Sequence, residues 1–82
     1  MIVLNGNDMA ERGALHDHLR ERLGLPDYYG GNLDALNDCL GERARHELVV
    51  IQPAAPFLEG LGSYAAQVLR VFADNGVQVL LD

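Results

Sequence analysis

Three short apolar segments are spaced along the chain and predict β-strands. Residues 2–4 are β-branched or aliphatic and are followed by an Asn-Gly-Asn turn signal. Residues 48–51 form an uninterrupted apolar run, which is typical of a strand buried on both faces of a sheet. Residues 77–81 form the third predicted strand. The sheet is therefore expected to join segments that are far apart in the sequence.

The leucine spacing predicts two helices between the first and second strands. Charged residues separate the leucines of the first, an amphipathic helix over about residues 12–24. The second has Asn32 as a good N-cap and ends near Gly41. Asp34 lies in its first turn, where the helix dipole favours a negative charge. The two apolar stripes are Leu15, Leu19 and Leu23 in the first helix and Leu33, Leu36 and Leu40 in the second.

The segment between the second and third strands also has a helical pattern. A short helical turn is expected at residues 57–60, after two prolines that interrupt regular secondary structure. Ser63 is expected to cap a further helix, which ends at Asn75 and Gly76. The stripe of this last helix is Ala65, Val68, Leu69 and Phe72.

Strands that alternate with helices imply parallel pairing through right-handed crossovers. The predicted fold class is therefore α/β, a three-stranded parallel sheet with flanking helices, and residues 1–82 are expected to form one domain. The 82 residues are enough for one small core. The hydrophobic fraction of 49 % and the charged fraction of 22 % are those of an ordinary globular protein.

The charge balance narrows the kinds of partner. Six arginines, no lysine and twelve acidic residues give a formal net charge of −6. Binding to nucleic acid needs cationic side chains that displace counterions from phosphates, so the composition argues against it. An acidic domain is better suited to a basic partner.

The cysteine count and the apolar runs bear on the compartment. A single cysteine, Cys39, excludes an internal disulfide framework and a CxxC motif, and it suits a reducing compartment. No apolar run is long enough to span a bilayer, and the first residues do not resemble a signal peptide. We therefore expect a complete, soluble, cytoplasmic protein with no membrane contact.

Residues 27–42 carry the most informative charges. This segment has four acidic residues and no basic one, so it holds −4 of the net −6. On a helix, Asp34 and Asp38 share the face opposite the leucine stripe. Two interpretations stay open: a solvated acidic face, or a docking surface for a cationic partner with the neighbouring tyrosines as rigid contacts. Of Tyr28 and Tyr29, one is expected to pack on the core and the other to face solvent.

Catalytic and metal-binding interpretations have less support in the sequence. A small hydrolase or metal site built on the two aspartates is a third hypothesis, but exposed carboxylates lack the burial that separates an acid from a base. No HExxH, DxDxDG or phosphate-loop motif is present. His16 and His18 point to different sides of a helix and are expected at its surface or boundary. Cys39 is expected to act as a small hydrophobic residue. Arg43 and Arg45 are expected either to lie in solvent or to balance nearby acidic residues, and His46 is expected in solvent.

The run from residue 25 to residue 40, LPDYYGGNLDALNDCL, closely resembles the signature of the barstar family of intracellular ribonuclease inhibitors. The resemblance covers most of the chain. It includes Asn5 and Gly6 after the first strand, the leucines of the first helix, and residues 68–72 of the last helix. It is weakest over residues 41–62.

The resemblance implies a three-stranded parallel sheet with flanking helices, no catalysis and no cofactor. Barstar-like proteins block the active site of a small, basic, guanyl-specific ribonuclease with an acidic helix and the loop before it. By position, Asp38 resembles the central carboxylate that enters the phosphate-binding pocket, and Tyr28 resembles the tyrosine that packs on the catalytic histidine. The implied role is that of a monomer forming a 1:1 complex through Tyr28, Gly30, Asn32, Asp34, Asn37, Asp38 and Asp74.

Two positions inside the signature depart from the family pattern, since Asn37 replaces a tryptophan and Gly31 replaces an acidic residue. Arg43 and Arg45 also bring positive charge towards the expected interface. These departures leave a second hypothesis open. The chain would then be a barstar-like module that neutralises a non-ribonuclease toxin or another basic partner.

Overall fold

The computed structural model describes residues 1–43 and 47–82, and its centre is one parallel sheet. The strands are β1 (Ile2–Leu4), β2 (Val49–Ile51) and β3 (Val79–Leu81), in the order β1-β2-β3. Val3 pairs with Val50, which pairs with Leu80. The predicted three-stranded parallel sheet is confirmed. Strand β3 begins two residues later than predicted, because the Val77 N–H donates to the Phe72 carbonyl of the preceding helix at 2.9 Å instead of to a neighbouring strand.

In the described part of the chain, four helices and a short 3-10 helix connect the strands. The turn signal after β1 becomes the 3-10 helix Gly6–Met9, in which the Asn5 side chain accepts a hydrogen bond from the Asn7 backbone. The helical turn expected at residues 57–60 is part of a longer helix that begins at Ala54. Pro56 is tolerated because it lies in the first turn, where a backbone N–H has no hydrogen-bond partner within the helix. The helices are α1 (Arg12–Leu23), α2 (Leu33–Gly41), α3 (Ala54–Leu61) and α4 (Ser63–Asp74).

The prediction that Ser63 caps α4 was wrong. Ser63 is the first helical residue, and its side chain makes no capping hydrogen bond. Gly62 precedes it at a φ of 56°, in the left-handed region that favours glycine. Only this residue separates α3 from α4, and there is no room for an extended capping serine.

The helices cover one face of the sheet. Leu4, Val49 and Ile51 are buried on that face, whereas Val3 and Leu80 on the opposite face are partly exposed. Val50 is half-buried, so the prediction that β2 is buried on both faces was wrong for the uncovered side. Within the described residues the longest helices have twelve residues, and none has the length and apolarity to cross a membrane.

Candidate functional site

The loop between α1 and α2 displays one tyrosine and buries the next. Tyr28 is 80 % exposed and Tyr29 is 8 % exposed, which confirms the predicted division of roles. The backbone N–H of Tyr29 donates to the Pro26 carbonyl at 2.9 Å and closes a turn. Gly31 follows at a φ of 68°, a conformation that favours glycine over the acidic residue of the family pattern.

Asn32 ends the loop and starts α2. Its side-chain oxygen accepts from the Ala35 N–H at 2.8 Å, so the predicted N-cap is confirmed. The amide NH2 of Asn32 remains exposed beside Gly30. The cap fixes the direction in which α2 leaves the loop.

Asp34, Asp38 and Glu42 follow one another at four-residue intervals along the exposed side of α2. None of the three forms an ion pair with a cation in residues 1–43 or 47–82. Glu42 is the C-cap, where the helix dipole disfavours a negative charge. We call residues 27–32 together with Asp34, Asp38 and Glu42 the acidic surface.

A surface cleft of about 310 Å³ opens between the loop and α2. Asp38 and Glu42 supply its carboxylates, and the exposed Tyr28 ring forms its wall. The cleft therefore combines negative charge with an aromatic face, which suits a cationic or imidazole side chain. Its lining residues are Tyr28, Tyr29, Gly30, Ala35, Asp38, Cys39 and Glu42.

Cys39 is half-buried and packs against the core, as expected for a small hydrophobic residue. Burial raises the pKa of its thiol, and the Glu42 and Asp38 carboxylates raise it further. The thiol is therefore a poor nucleophile, since only the thiolate attacks. In the described part of the chain, no group of three or more metal-ligating side chains comes together.

Asn37 and Asp74 lie where α2 meets the end of α4. The side-chain NH2 of Asn75 donates to the Asn37 side-chain oxygen at 2.8 Å, which joins the two helices. The exposed Asp74 carboxylate lies 3.4 Å from Nε of Arg70, so part of its charge is compensated. Neither side chain lines the cleft, which brings together only Tyr28, Gly30 and Asp38 of the predicted contact set.

Arg43 does not lie in solvent as expected. It is half-buried, and its guanidinium donates to the Leu23 carbonyl at 2.8 Å. The last carbonyls of α1 lack partners within the helix and favour a positive charge, so Arg43 caps α1. The expectations for Arg45 and His46 fall outside the described residues.

The expectation that His16 lies at the surface or boundary of its helix was wrong, since the residue is only 4 % exposed. Its Nδ1 lies 2.5 Å from the Tyr29 hydroxyl, and its Nε2 lies 2.8 Å from the Tyr64 hydroxyl. The spacing of residues in the sequence could have predicted that His16 is buried. His16 precedes Leu19 and Leu23 by three and seven residues and so belongs to the same buried stripe. His18 is half-buried, and its Nε2 accepts from the Asn5 N–H at 3.0 Å.

Fold and site together define a small α/β protein that presents exposed carboxylates around an aromatic cleft. Residues 1–79 match the family model described as Barstar (barnase inhibitor). The chain is 42 % identical over 74 residues to the protein named "Putative ribonuclease inhibitor YrdF" of Bacillus subtilis (strain 168). That alignment covers 89 % of this chain and 81 % of the relative. The chain belongs to the barstar family, so the prediction of an inhibitor rather than an enzyme is confirmed.

Proposed function

We propose that this chain inhibits a small, basic, guanyl-specific ribonuclease by inserting the acidic surface into the active site of that enzyme. Family membership and the name of the Bacillus subtilis relative support ribonuclease inhibition in general. The finer proposal rests on one observation: the Asp38 carboxylate, which has no ion-pair partner among residues 1–43 and 47–82, lies in the cleft beside the exposed Tyr28 ring.

The charges of α2 favour binding over stability. Three carboxylates at four-residue spacing repel one another, and Glu42 opposes the helix dipole. Each effect costs a few tenths of a kcal/mol or more in the free protein. A cationic partner removes both costs, so the arrangement stores repulsion that binding releases.

The active site of a ribonuclease holds cationic side chains arranged around a phosphate. A carboxylate offers oxygen acceptors that take charge-assisted hydrogen bonds from the same donors. Asp38 would occupy the phosphate position, and the Tyr28 ring would pack on a neighbouring imidazole of the enzyme. The net charge of −6 adds long-range attraction to a basic enzyme and speeds association.

We further propose that the inhibitor is a cytoplasmic monomer that forms a 1:1 complex with the enzyme. The lone thiol of Cys39 suits a reducing compartment. An enzyme that cleaves RNA endangers its own cell if it is active there, so rapid capture of the enzyme would protect cellular RNA.

The test is an RNA-cleavage titration with barnase at two salt concentrations. Asp38→Asn removes one charge from the acidic surface without changing the side-chain shape. Glu59→Gln makes the same change on α3, at an exposed position outside the cleft. We expect stoichiometric inhibition by the wild type and Glu59→Gln, and a loss of at least about 30-fold in affinity for Asp38→Asn. The barnase–barstar complex is itself a reference case for effects of this size.

Equal inhibition by the two variants would contradict the role of Asp38. No inhibition by the wild type at high concentration would contradict the ribonuclease proposal. The better hypothesis would then be a barstar-like module for a different basic partner, such as a non-ribonuclease toxin.

A further inference from the structure

His16 lies where three parts of the structure meet. The imidazole comes from α1, the Tyr29 hydroxyl from the loop of the acidic surface, and the Tyr64 hydroxyl from α4. All three side chains are at least nine-tenths buried. We call these residues the His16 network. Both ring nitrogens of His16 are used, so the imidazole bridges the loop to α4.

A neutral imidazole satisfies both hydrogen bonds of the network. A neutral ring has one N–H donor and one acceptor nitrogen, so it donates to one tyrosine hydroxyl and accepts from the other. Burial raises the pKa of Tyr29, which keeps that phenol protonated. Burial also lowers the pKa of His16, although the neighbouring Asp17 acts in the opposite direction. The bridge is thus complete in the neutral state.

We propose that His16 is a positioning residue for partner binding. Through Tyr29 it holds the backbone of residues 28–30 in the shape that the partner meets, an inference that rests on the proposed function. Tyr29 stands between the exposed Tyr28 and Gly30, and the two glycines that follow give the chain little stiffness. Fixing the loop before association lowers the entropy lost on binding.

The decisive variant is Tyr64→Phe, because Tyr64 does not line the cleft. It removes the hydroxyl bonded to Nε2 of His16 and keeps the aromatic ring. The guanidinium of Arg12, 4.2 Å from the centre of that ring, keeps its stacking partner. If His16 positions the loop, the effect of Tyr64→Phe on the acidic surface is transmitted only through the imidazole.

The matched control is Val68→Ala, one turn further along α4. Val68 is fully buried and apolar, so its truncation lowers the free energy of unfolding without removing a hydrogen bond. Both variants are expected to lower the melting temperature. At 25 °C, with barnase as the probe, Tyr64→Phe is expected to raise Kd by about 3- to 10-fold. Val68→Ala is expected to leave Kd within about twofold of the wild type, because the folded Val68→Ala molecule keeps the His16 network and presents the same acidic surface.

A second readout needs no partner. Amide hydrogen exchange at residues 28–31, measured relative to exchange in α1, is expected to rise in Tyr64→Phe and in Tyr29→Phe. In Val68→Ala this ratio is expected to stay at the wild-type value. The ratio isolates the loop from a general loss of stability.

The outcomes separate the two proposals. If the wild type inhibits barnase, an unchanged Kd and an unchanged exchange ratio in Tyr64→Phe overturn the positioning role. Equal losses of affinity in Tyr64→Phe and Val68→Ala also overturn it, since stability alone would then explain both. If the wild type does not inhibit barnase, the ribonuclease proposal fails, and the exchange ratio alone decides whether His16 orders the loop.

Discussion

Glycine serves different purposes in the acidic surface and in the packing of α3. A Cβ on Gly30 would meet side-chain atoms of Asn32 and Ala35 at 3.4 and 3.6 Å, which is ordinary contact. A Cβ on Gly60 of α3 would lie 2.2 Å from the Ala10 carbonyl oxygen, just after the 3-10 helix. The loop glycine gives freedom at the surface, whereas the helix glycine allows two backbones to touch.

The two regions also differ in charge. The carboxylates of Asp34, Asp38 and Glu42 lack cationic partners within the described chain, and an aromatic ring stands exposed beside them. Around α3 the contacts are close and mainly apolar, with Phe57 fully buried. Close packing characterises the second region, and exposed charge characterises the first. Substitutions should therefore affect either stability or binding with little effect on the other.

The largest expected effect on stability comes from Gly60→Ala. The added methyl group cannot be accommodated unless α3 moves away from Ala10, and overpacking of this kind costs about 3 kcal/mol. Urea unfolding measures the loss. The control is Gly30→Ala, which should change the free energy of unfolding by less than about 0.5 kcal/mol. Similar unfolding midpoints for the two variants would contradict the assigned packing.

Tyr28→Ala should weaken partner binding and leave the stability of the fold almost unchanged. The ring is 80 % exposed, so its removal should change the free energy of unfolding by less than about 0.5 kcal/mol. Binding to barnase should weaken by about 2 kcal/mol, or 30-fold, if the ring is a contact at the centre of the interface. Calorimetric titration of the variant and of Tyr28→Phe measures this. Full affinity in Tyr28→Ala would remove the tyrosine from the interface.

The fold was largely predictable because its signals are local. The apolar runs give the three strands, and the leucine spacing gives α1 and α2 almost to the residue. The full length of α3 was less accessible, since Pro53 and Pro56 suggested a break. Proline is compatible with a first helical turn, and only the packing of Phe57 into the core shows that a helix continues there.

The residues of the candidate site were proposed from the sequence, whereas their spatial arrangement could be predicted only in part. The resemblance to the family signature suggested Asp38 and Tyr28 as contacts, and the helix period predicted that Asp34 and Asp38 share one face. The bond between Asn75 and Asn37 and the capping of α1 by Arg43 join residues at least 20 positions apart. Such contacts depend on how the helices pack, so they cannot be predicted from the spacing of residues along the chain.

The stability of the fold should depend on pH through His16. Burial lowers the pKa of His16 in the folded protein below its ordinary value of 6.5, so the unfolded chain binds a proton first as the pH falls. The stabilising effect of the neutral ring is complete above pH 6.5 and is lost as the pH falls towards the lowered pKa. The free energy of unfolding should decrease over this window by at most about 1.4 kcal/mol per pH unit.

The groups around His16 define the controls for that pH dependence. Tyr29 and Tyr64 face the ring, Asp17 follows it in α1, and Arg12 stacks on Tyr64. Urea unfolding between pH 5 and pH 8 should give a smaller slope for His16→Gln than for the wild type. Val68→Ala should be less stable throughout but keep the wild-type slope. An equal slope in His16→Gln would mean that other groups cause the pH dependence.

The smallest effect expected is that of Asn75→Ala, and it tests whether the acidic surface is held at its second end. The Asn75 side chain donates to Asn37 at 2.8 Å and to the Val71 carbonyl at 2.9 Å. Its loss should cost about 1 kcal/mol, or a melting temperature lower by about 4–8 °C. The control is Asn7→Ala, because the exposed Asn7 side chain makes no hydrogen bond within the described residues.

The affinity of Asn75→Ala for barnase tests whether the bond to Asn37 also positions α2 for binding. Asn37 stands where the family pattern has a tryptophan, and its bond to Asn75 fixes the middle of α2 against α4. If this bond replaces the packing of a larger side chain, its loss lets α2 shift, and Kd for barnase should rise by about threefold. An unchanged melting temperature would show that the bond contributes nothing in water. A lower melting temperature with an unchanged Kd would show that α2 is positioned by the Asn32 cap and the leucine stripe alone.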